Sequence, residues 1–260
     1  MKKIIAIIPA RMGSTRFPGK PMAKIHGVPM VGHVYLRTKM CSLLSETYVA
    51  TCDQEIYDYI FSVGGEAIMT SDTHERCSDR TAEAMLKVES ATGRKLDIVV
   101  MVQGDEPMVT PEMIEAAARP MLEDPSIQVI NLMARMTTVE EFEDPNEVKV
   151  VVDLYGRALY FSREPVPSRR KGVKDVPMLK QVCIIPFRRD YLLEFNDLPE
   201  TPLEKIESVD MMRVIEHGEH VHMVMTDAET LSVDTTKDLE KVVDLMKTDT
   251  LIKEYKAVIG

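Results

Sequence analysis

In "IIPARMGSTRFPGK" (residues 7–20), Arg11, Arg16 and Lys20 stand among two glycines, Gly13 and Gly19, and two hydroxyls, Ser14 and Thr15. Cations interleaved with glycine suit a multiply charged oxyanion. Glycine lets backbone amides come close, and guanidinium and ammonium groups add charge-assisted bonds to phosphate oxygens. The stretch is not a Walker A loop: five residues separate Gly13 from Gly19, and Lys20 is followed by Pro21 where a hydroxyl is required. The GxGxxG dinucleotide pattern is absent too. A second chemical cluster is "QGDEP" (103–107), with Gln103, Asp105 and Glu106. A third is Asp234 in "LSVDTTKDL". A carboxylate in a turn serves most often as a cap or a solvated charge, so neither stretch is decisive alone.

Strand ends must position these groups. "KIIAIIPA" reads as a central strand and "DIVVMV" as another, so the cationic loop and "QGDEP" both follow strands. Between and beyond them the pattern alternates. Strands are expected at "ETYVATC", "EAIMT" and "IQVINLMAR". Helices are expected at "PMVGHVYLRTKM", "QEIYDYIFSVGG", "SDRTAEAMLKVESA" and "TPEMIEAAARPML". Such βαβα alternation implies an α/β fold with a mostly parallel sheet and helices on both faces. Ligands in such folds gather beyond the carboxyl ends of the strands. After about residue 145 the pattern becomes β-rich. Two strands break at Tyr155-Gly156, "SRRKGVKDVPM" is a basic loop and "KQVCIIPFR" reads as one strand. "TPLEKIESVDMMRVIEHG" reads as one helix, which places Glu207 and Asp210 on one face. "HVHMVMT" is a strand, "TTKDLEKVVDLMKT" closes the pattern, and the chain after Lys247 is a weak helix or loose end. The whole reads as one domain, residues 1–260, with a nucleotide part (1–145), a smaller acceptor and dimerisation part (146–230) and a closing segment (231–260).

Bulk composition narrows the choices. The 260 residues are 45% hydrophobic, with a formal net charge of −10. That charge argues against general nucleic-acid binding, which needs a basic field. The apolar run before Pro9 is too short for membrane insertion or a secretory leader. Cys41, Cys52, Cys77 and Cys183 form no CxxC and read as free thiols in a reducing cytoplasm. Apart from His217, His220 and His222 near a strand start, the six histidines show no helical metal-ligand spacing, and no zinc site is expected there.

"PARMGSTRFPGKP" (9–21) resembles the amino-terminal signature of the cytidylyltransferases that activate 3-deoxy-manno-octulosonate (Kdo) as a CMP-sugar. The similarity continues, in the family's order, through "VQGDEPM" (102–108), "NEVKVVVD" (146–153), "ALYFSREPVP" (158–167), "TPLEKIES" (201–208), "MRVIEHG" (212–218) and "VDTTKDLEKV" (233–242). The resemblance implies a Rossmann-like nucleotide-diphospho-sugar transferase fold and a cytoplasmic homodimer that uses segments around residues 156–185. It implies nucleotidyl transfer: a hydroxyl of an acidic sugar attacks the α-phosphorus of CTP and pyrophosphate leaves. Arg11 and Lys20 would meet the triphosphate, with Arg16, Ser14 and the amides of Ala10 and Gly13 close by. Asp105 and Asp234 would carry Mg²⁺, making Arg11, Lys20 and Asp105 the catalytic set. Gln103 and the "HERCSDR" turn, with Arg76, Cys77 and Ser78, would face the cytosine. Arg163 would anchor the acceptor carboxylate, with Gln103, Gln181, Glu207 and Asp210 around the sugar.

Three segments depart from the family pattern. "HERCSDR" has Arg76 and Cys77 where Ser and Gly are usual. "KQVCIIPF" has Gln181 for His, and Ile185 and Phe187 for two tyrosines. "VDMMR" has Asp210 and Met211 for Glu and Gln. The last two segments form the sugar pocket in the resemblance, and the changes at Gln181, Ile185, Phe187 and Met211 read as a loss of pocket polarity. They point to an acceptor that keeps the acid group and differs from Kdo elsewhere, which would make Kdo a poor substrate. Other acceptors, such as a nonulosonic acid or a phosphonate, stay open. So does a silent nucleotide-binding homologue.

Overall fold

A computed structural model describes residues 2–14 and 16–259. The chain groups into two compact units, Met1–Glu115 with Thr230–Gly260, and Ala116–Glu229. The change of pattern read near residue 145 thus lies about thirty residues beyond the first division.

In the first unit, four strands run parallel in the order Ile98–Val102, Ile4–Pro9, Glu46–Thr51 and Glu66–Met69. Every residue of Ile4–Pro9 and of Ile98–Val102 is buried. That is why both read as continuous apolar runs: a parallel strand covered on both faces has no polar side to show. Each fully buried isoleucine contributes roughly 1.5–3 kcal/mol. Ile4 pairs with Ile98 and Ile7 with Met101, so the two strands end side by side. The helices Met30–Lys39, Gln54–Ser62 and Cys77–Thr92 follow strands and pack on this sheet. Thr110 accepts from the Met113 amide at the start of Pro111–Glu123, as its cap-like sequence predicts. The chain after Lys247 forms a helix, Leu251–Ile259.

The second unit holds a mixed sheet in the order His222–Thr226, Ile130–Arg135, Leu179–Val182, Lys149–Val152 and Ala158–Ser162. The first pair is parallel and the rest are antiparallel. The hairpin turns at residues 153–157, where the Asp153 carboxylate accepts from the amides of Tyr155 and Arg157. Two expectations need correction. "KQVCIIPFR" is two strands, Leu179–Val182 and Ile184–Arg188, followed by the helix Arg189–Asp197. The single helix over 201–218 is two, Pro202–Glu207 and Met211–Glu216. They are broken at Ser208, whose φ of 54° lies in the left-handed region. Glu207 and Asp210 therefore do not share a helical face. The break is stabilised by a buried Arg213–Glu204 pair, 2.6 Å and 2.8 Å, and by Glu216, which accepts from the amides of Leu203 and Glu204. Those amides are unsatisfied donors of a helix start, and a carboxylate there is favoured.

Candidate active site

The cationic loop begins where the strand Ile4–Pro9 ends. Ala10 extends the strand pairing through its amide to Ala50 O at 2.9 Å. Two residues on, the amide of Met12 donates to the Asp53 carboxylate at 2.8 Å. Asp53 occupies the N-cap position of Gln54–Ser62 yet makes no side-chain cap bond there; its carboxylate anchors the loop instead. The loop then closes on itself, with Ser14 N and Gly19 N both donating to Met12 O and Phe17 N donating to Ser14 Oγ. Gly19, at φ 74°, makes the turn into the short 3-10 segment Lys20–Met22. Arg11, Gly13 and Arg16 are exposed along the loop, and Thr15 lies outside the described residues.

The acidic turn lies against this loop because Gly104 permits it. A Cβ at Gly104 would sit 3.0 Å from Pro9 O and 3.4 Å from Ala10 Cβ. The turn carries Gln103, half-buried, whose carbonyl accepts from Glu106 N. Asp234 arrives from the other end of the sequence. The amide of Val233 donates to Asp105 O at 2.9 Å, and Thr235 and Asp238 form a capping box that fixes the backbone at the start of Thr236–Leu245. Lys20 Nζ then stands 2.7 Å from Asp105 Oδ2 and 3.5 Å from Asp234 Oδ1, and Arg16 reaches Asp234 at 2.8 Å. Burial works against the Lys20 charge, but the two carboxylates outweigh it and raise its pKa above the usual lysine value. Lys20 is therefore a fixed cation.

The donor set fits a hard divalent cation. Asp105 Oδ1 is buried and has no hydrogen-bond partner, so one carboxylate oxygen is left for a ligand. No group of three or more His, Cys, Asp or Glu that could hold a metal occurs among the described residues. Two carboxylates suffice for Mg²⁺ when phosphates and water complete its shell.

Beside the loop is a small cleft whose lining includes Ala10, Arg11, His74, Arg76, Cys77 and Arg80. Arg11 donates to His74 O at 3.2 Å. Glu83 holds the turn: its carboxylate accepts from Ser71 N, pairs with His74 and takes Lys87 at 2.7 Å. Partial burial opposes the Glu83 charge, yet these donors bring its pKa down to about 2. Of the residues expected at the base, Arg76 and Cys77 line the cleft, while Ser78 is wholly buried in the first turn of Cys77–Thr92. Sequence reasoning passed over Arg80. It is 3% exposed, and its Nη1 donates to Thr70 Oγ1 and Ser71 O. Its Nη2 is buried without a partner at the cleft wall. The signal was present as the last residue of "HERCSDR".

In the second unit, Arg163 and Glu207 come together. Glu207 accepts from Tyr160 Oη at 3.0 Å, Ser162 Oγ at 3.2 Å and Arg163 N at 2.8 Å. A carboxylate expected to take acceptor hydroxyls thus already has three protein donors. Arg163 donates through Nε to Glu207 O and through Nη1 to Pro145 O, and its own carbonyl accepts from the buried ammonium of Lys149. Lys149 also meets Asp144 O and Glu147 O, which makes it a cation in a cage of carbonyls. Gln181 is elsewhere in the sheet and donates to Asn131 Oδ1. Asp210 opens the helix Met211–Glu216. Ile185, Phe187 and Met211 are all buried, and Phe187 stacks near Phe195. Three of the four changes read as loss of pocket polarity are therefore packing residues.

A strand-end cationic loop, a carboxylate pair and a cleft beside them define a nucleotidyltransferase, and the comparisons agree. A family model described as cytidylyltransferase matches residues 5–249. A 3-deoxy-manno-octulosonate cytidylyltransferase from Geotalea uraniireducens is 45% identical over 94% of this chain and 99% of its own. Another of that name, from Solibacter usitatus, is 40% identical over 96% and 97%. The solved structure of CMP:2-keto-3-deoxy-manno-octonic acid synthetase complexed with CTP superposes with a TM-score of 0.86 at 40% identity, over 95% of this chain and 100% of that one. A cytidylyltransferase from Leptospira borgpetersenii, 16% identical with a TM-score of 0.62, shares the fold. The chain belongs to the 3-deoxy-manno-octulosonate cytidylyltransferase family.

Proposed function

We propose that this enzyme transfers CMP from CTP to a hydroxyl of Kdo or a closely related 3-deoxy-2-keto sugar acid, releasing pyrophosphate and supplying a CMP-sugar for surface glycan or lipopolysaccharide synthesis. The observation that carries this reading is the Lys20 ammonium, at the end of the loop of residues 10–20, held between Asp105 and Asp234, in a chain so similar to enzymes of that name. In the reaction, Arg11, Arg16 and Lys20 grip the triphosphate together with the amides of Gly13 and Ser14. Lys20 and Arg11 offset the charge that develops as the bond to pyrophosphate breaks. Asp105 and Asp234 would hold Mg²⁺, which would supply positive charge to offset that of the phosphates. Gln103 and the unpartnered Nη2 of Arg80 meet acceptor atoms of the cytosine edge. Arg163 receives the acceptor carboxylate, its guanidinium pre-oriented by the carbonyls of Glu207 and Pro145.

The burial of Ile185, Phe187 and Met211 favours Kdo itself over a remodelled acceptor. No disulfide joins Cys41, Cys52, Cys77 or Cys183, which suits a reducing cytoplasm. No helix among the described residues is long and apolar enough to cross a membrane. The exposed Leu154, Tyr155 and Leu159 support a homodimer that covers them. The test is an acceptor panel of Kdo, 8-amino-Kdo and a nonulosonic acid with CTP and Mg²⁺, read as pyrophosphate release. Kdo should have the highest kcat/KM. A preference for another acceptor would restore the remodelled-pocket reading, and no release with any of them would leave a binding protein.

A further inference from the structure

We propose that Arg37 and Asp249 are positioning residues through which the carboxyl-terminal helix holds the turn of residues 103–109, and with it Asp105, in place beside Lys20. This rests on the reading of Asp105 as an active-site carboxylate.

Arg37 lies in the helix Met30–Lys39 and is 2% exposed. A buried guanidinium needs partners for its donors, and those of Arg37 divide between two distant stretches. Nε donates to Val109 O at 2.6 Å and Nη2 to Met108 O at 3.4 Å, both immediately after the acidic turn. Nη1 donates to Asp249 Oδ2 at 2.6 Å. The other oxygen of Asp249 accepts from Leu251 N at 2.8 Å, so one carboxylate both starts the last helix and fixes Arg37. The turn is in turn rigid: Glu106 N donates to Gln103 O and Val109 N to Glu106 O.

The last helix is itself secured to the same region. Tyr255, buried, bonds His33 Nδ1 at 2.6 Å, and Lys256 donates to His26 O. His33 Nε2 meets Ile25 O at 2.7 Å, a carbonyl that can only accept. Burial lowers the His33 pKa and keeps the ring neutral, so its one proton is on Nε2 and Tyr255 is the donor to Nδ1. Residues 230–256 therefore grip the acidic turn twice: through Val233 N on Asp105 O, and through Asp249 and Arg37 on the carbonyls of Met108 and Val109. None of these groups is among those assigned to substrate above. They act on where Asp105 sits.

The test uses the full chain carrying Asp249→Ala, with two readouts. In protein free of metal and nucleotide, amide hydrogen exchange across residues 103–109 should accelerate about tenfold, while residues 54–62 exchange as in the wild type. The Mg²⁺ concentration for half-maximal pyrophosphate release should rise about three- to tenfold, with KM for the acceptor unchanged. Asp249→Asn keeps an oxygen acceptor and should recover most of both. Should Asp249→Ala fail to fold, Arg37→Lys keeps the charge, loses the fork and should shift both readouts in the same direction. A variant with lowered thermal stability but wild-type exchange at 103–109 and wild-type metal dependence, measured well below its Tm, would overturn the proposal. Full turnover in Asp105→Asn would instead reject the carboxylate reading. The exchange result, obtained without metal or substrate, would still judge the positioning of the turn.

Discussion

Single residues decide what the site can do. Asp105 and Asp234 lie more than a hundred residues apart in sequence, yet both touch Lys20 Nζ. If they hold the metal, Asp105→Asn and Asp234→Asn should each lower kcat on the order of a hundredfold while leaving Tm within a few degrees, since an amide is a poorer ligand than a carboxylate. Near-normal turnover at saturating Mg²⁺ in either variant would reject that assignment. Gly104 is a sharper geometric test. Adding a methyl group puts a carbon 3.0 Å from Pro9 O, so the acidic turn must move away from the loop. Gly104→Ala should cost about 1–3 kcal/mol of stability and at least tenfold in kcat. A variant with wild-type kcat would show that the approach of the two strand ends is dispensable.

At the scale of elements, the strands and most helices were legible because their apolar runs are buried on both faces or carry a clear period. The loop at 10–20 and the turn at 103–107 were legible as a site because both end buried parallel strands that pair directly. What escaped notice depends on partners far away in sequence. Asp53 looks like a helix cap, and only the fold reveals Met12 N as its partner. Glu207 reads from sequence as a partner for acceptor hydroxyls, yet Tyr160, Ser162 and Arg163 converge on it. The break at Ser208 has no glycine or proline to announce it; it is imposed by the Arg213–Glu204 pair and by Glu216. The last helix looked weak because its stability comes from docking, through His33 and Arg37, and not from its own sequence.

That docking predicts a pH dependence. Burial, together with the nearby charges of Arg37 and Lys256, lowers the His33 pKa to about 4 despite the Ile25 carbonyl. An unfolded histidine titrates near 6.5, so between these values only the unfolded chain binds the proton. Stability that is fully present above pH 6.5 is lost as pH falls toward 4, by up to roughly 3 kcal/mol. His33→Gln can keep both hydrogen bonds without titrating. Its Tm should fall less steeply than that of the wild type between pH 6.5 and 4. Equal slopes would remove His33 from the account.

For the whole molecule, the residues proposed for the nucleotide all lie in the unit of Met1–Glu115 and Thr230–Gly260, and Arg163, Gln181, Glu207 and Asp210 all lie in Ala116–Glu229. A net charge of −10 does not oppose this, because the cations that matter are few, local and held against carboxylates or carbonyls. The central claim is that the first unit selects CTP and the chain turns it into a CMP-sugar. The most direct measurement is pyrophosphate release with Kdo and Mg²⁺ in CTP, UTP, ATP and GTP supplied in turn, with the product identified by mass. CTP should be favoured over each of the others by at least about tenfold in kcat/KM if Gln103 and Arg80 read the base edge as proposed, and the product should be the CMP ester of the sugar. Equal rates with all four nucleotides, or pyrophosphate release without a CMP-sugar, would contradict the account.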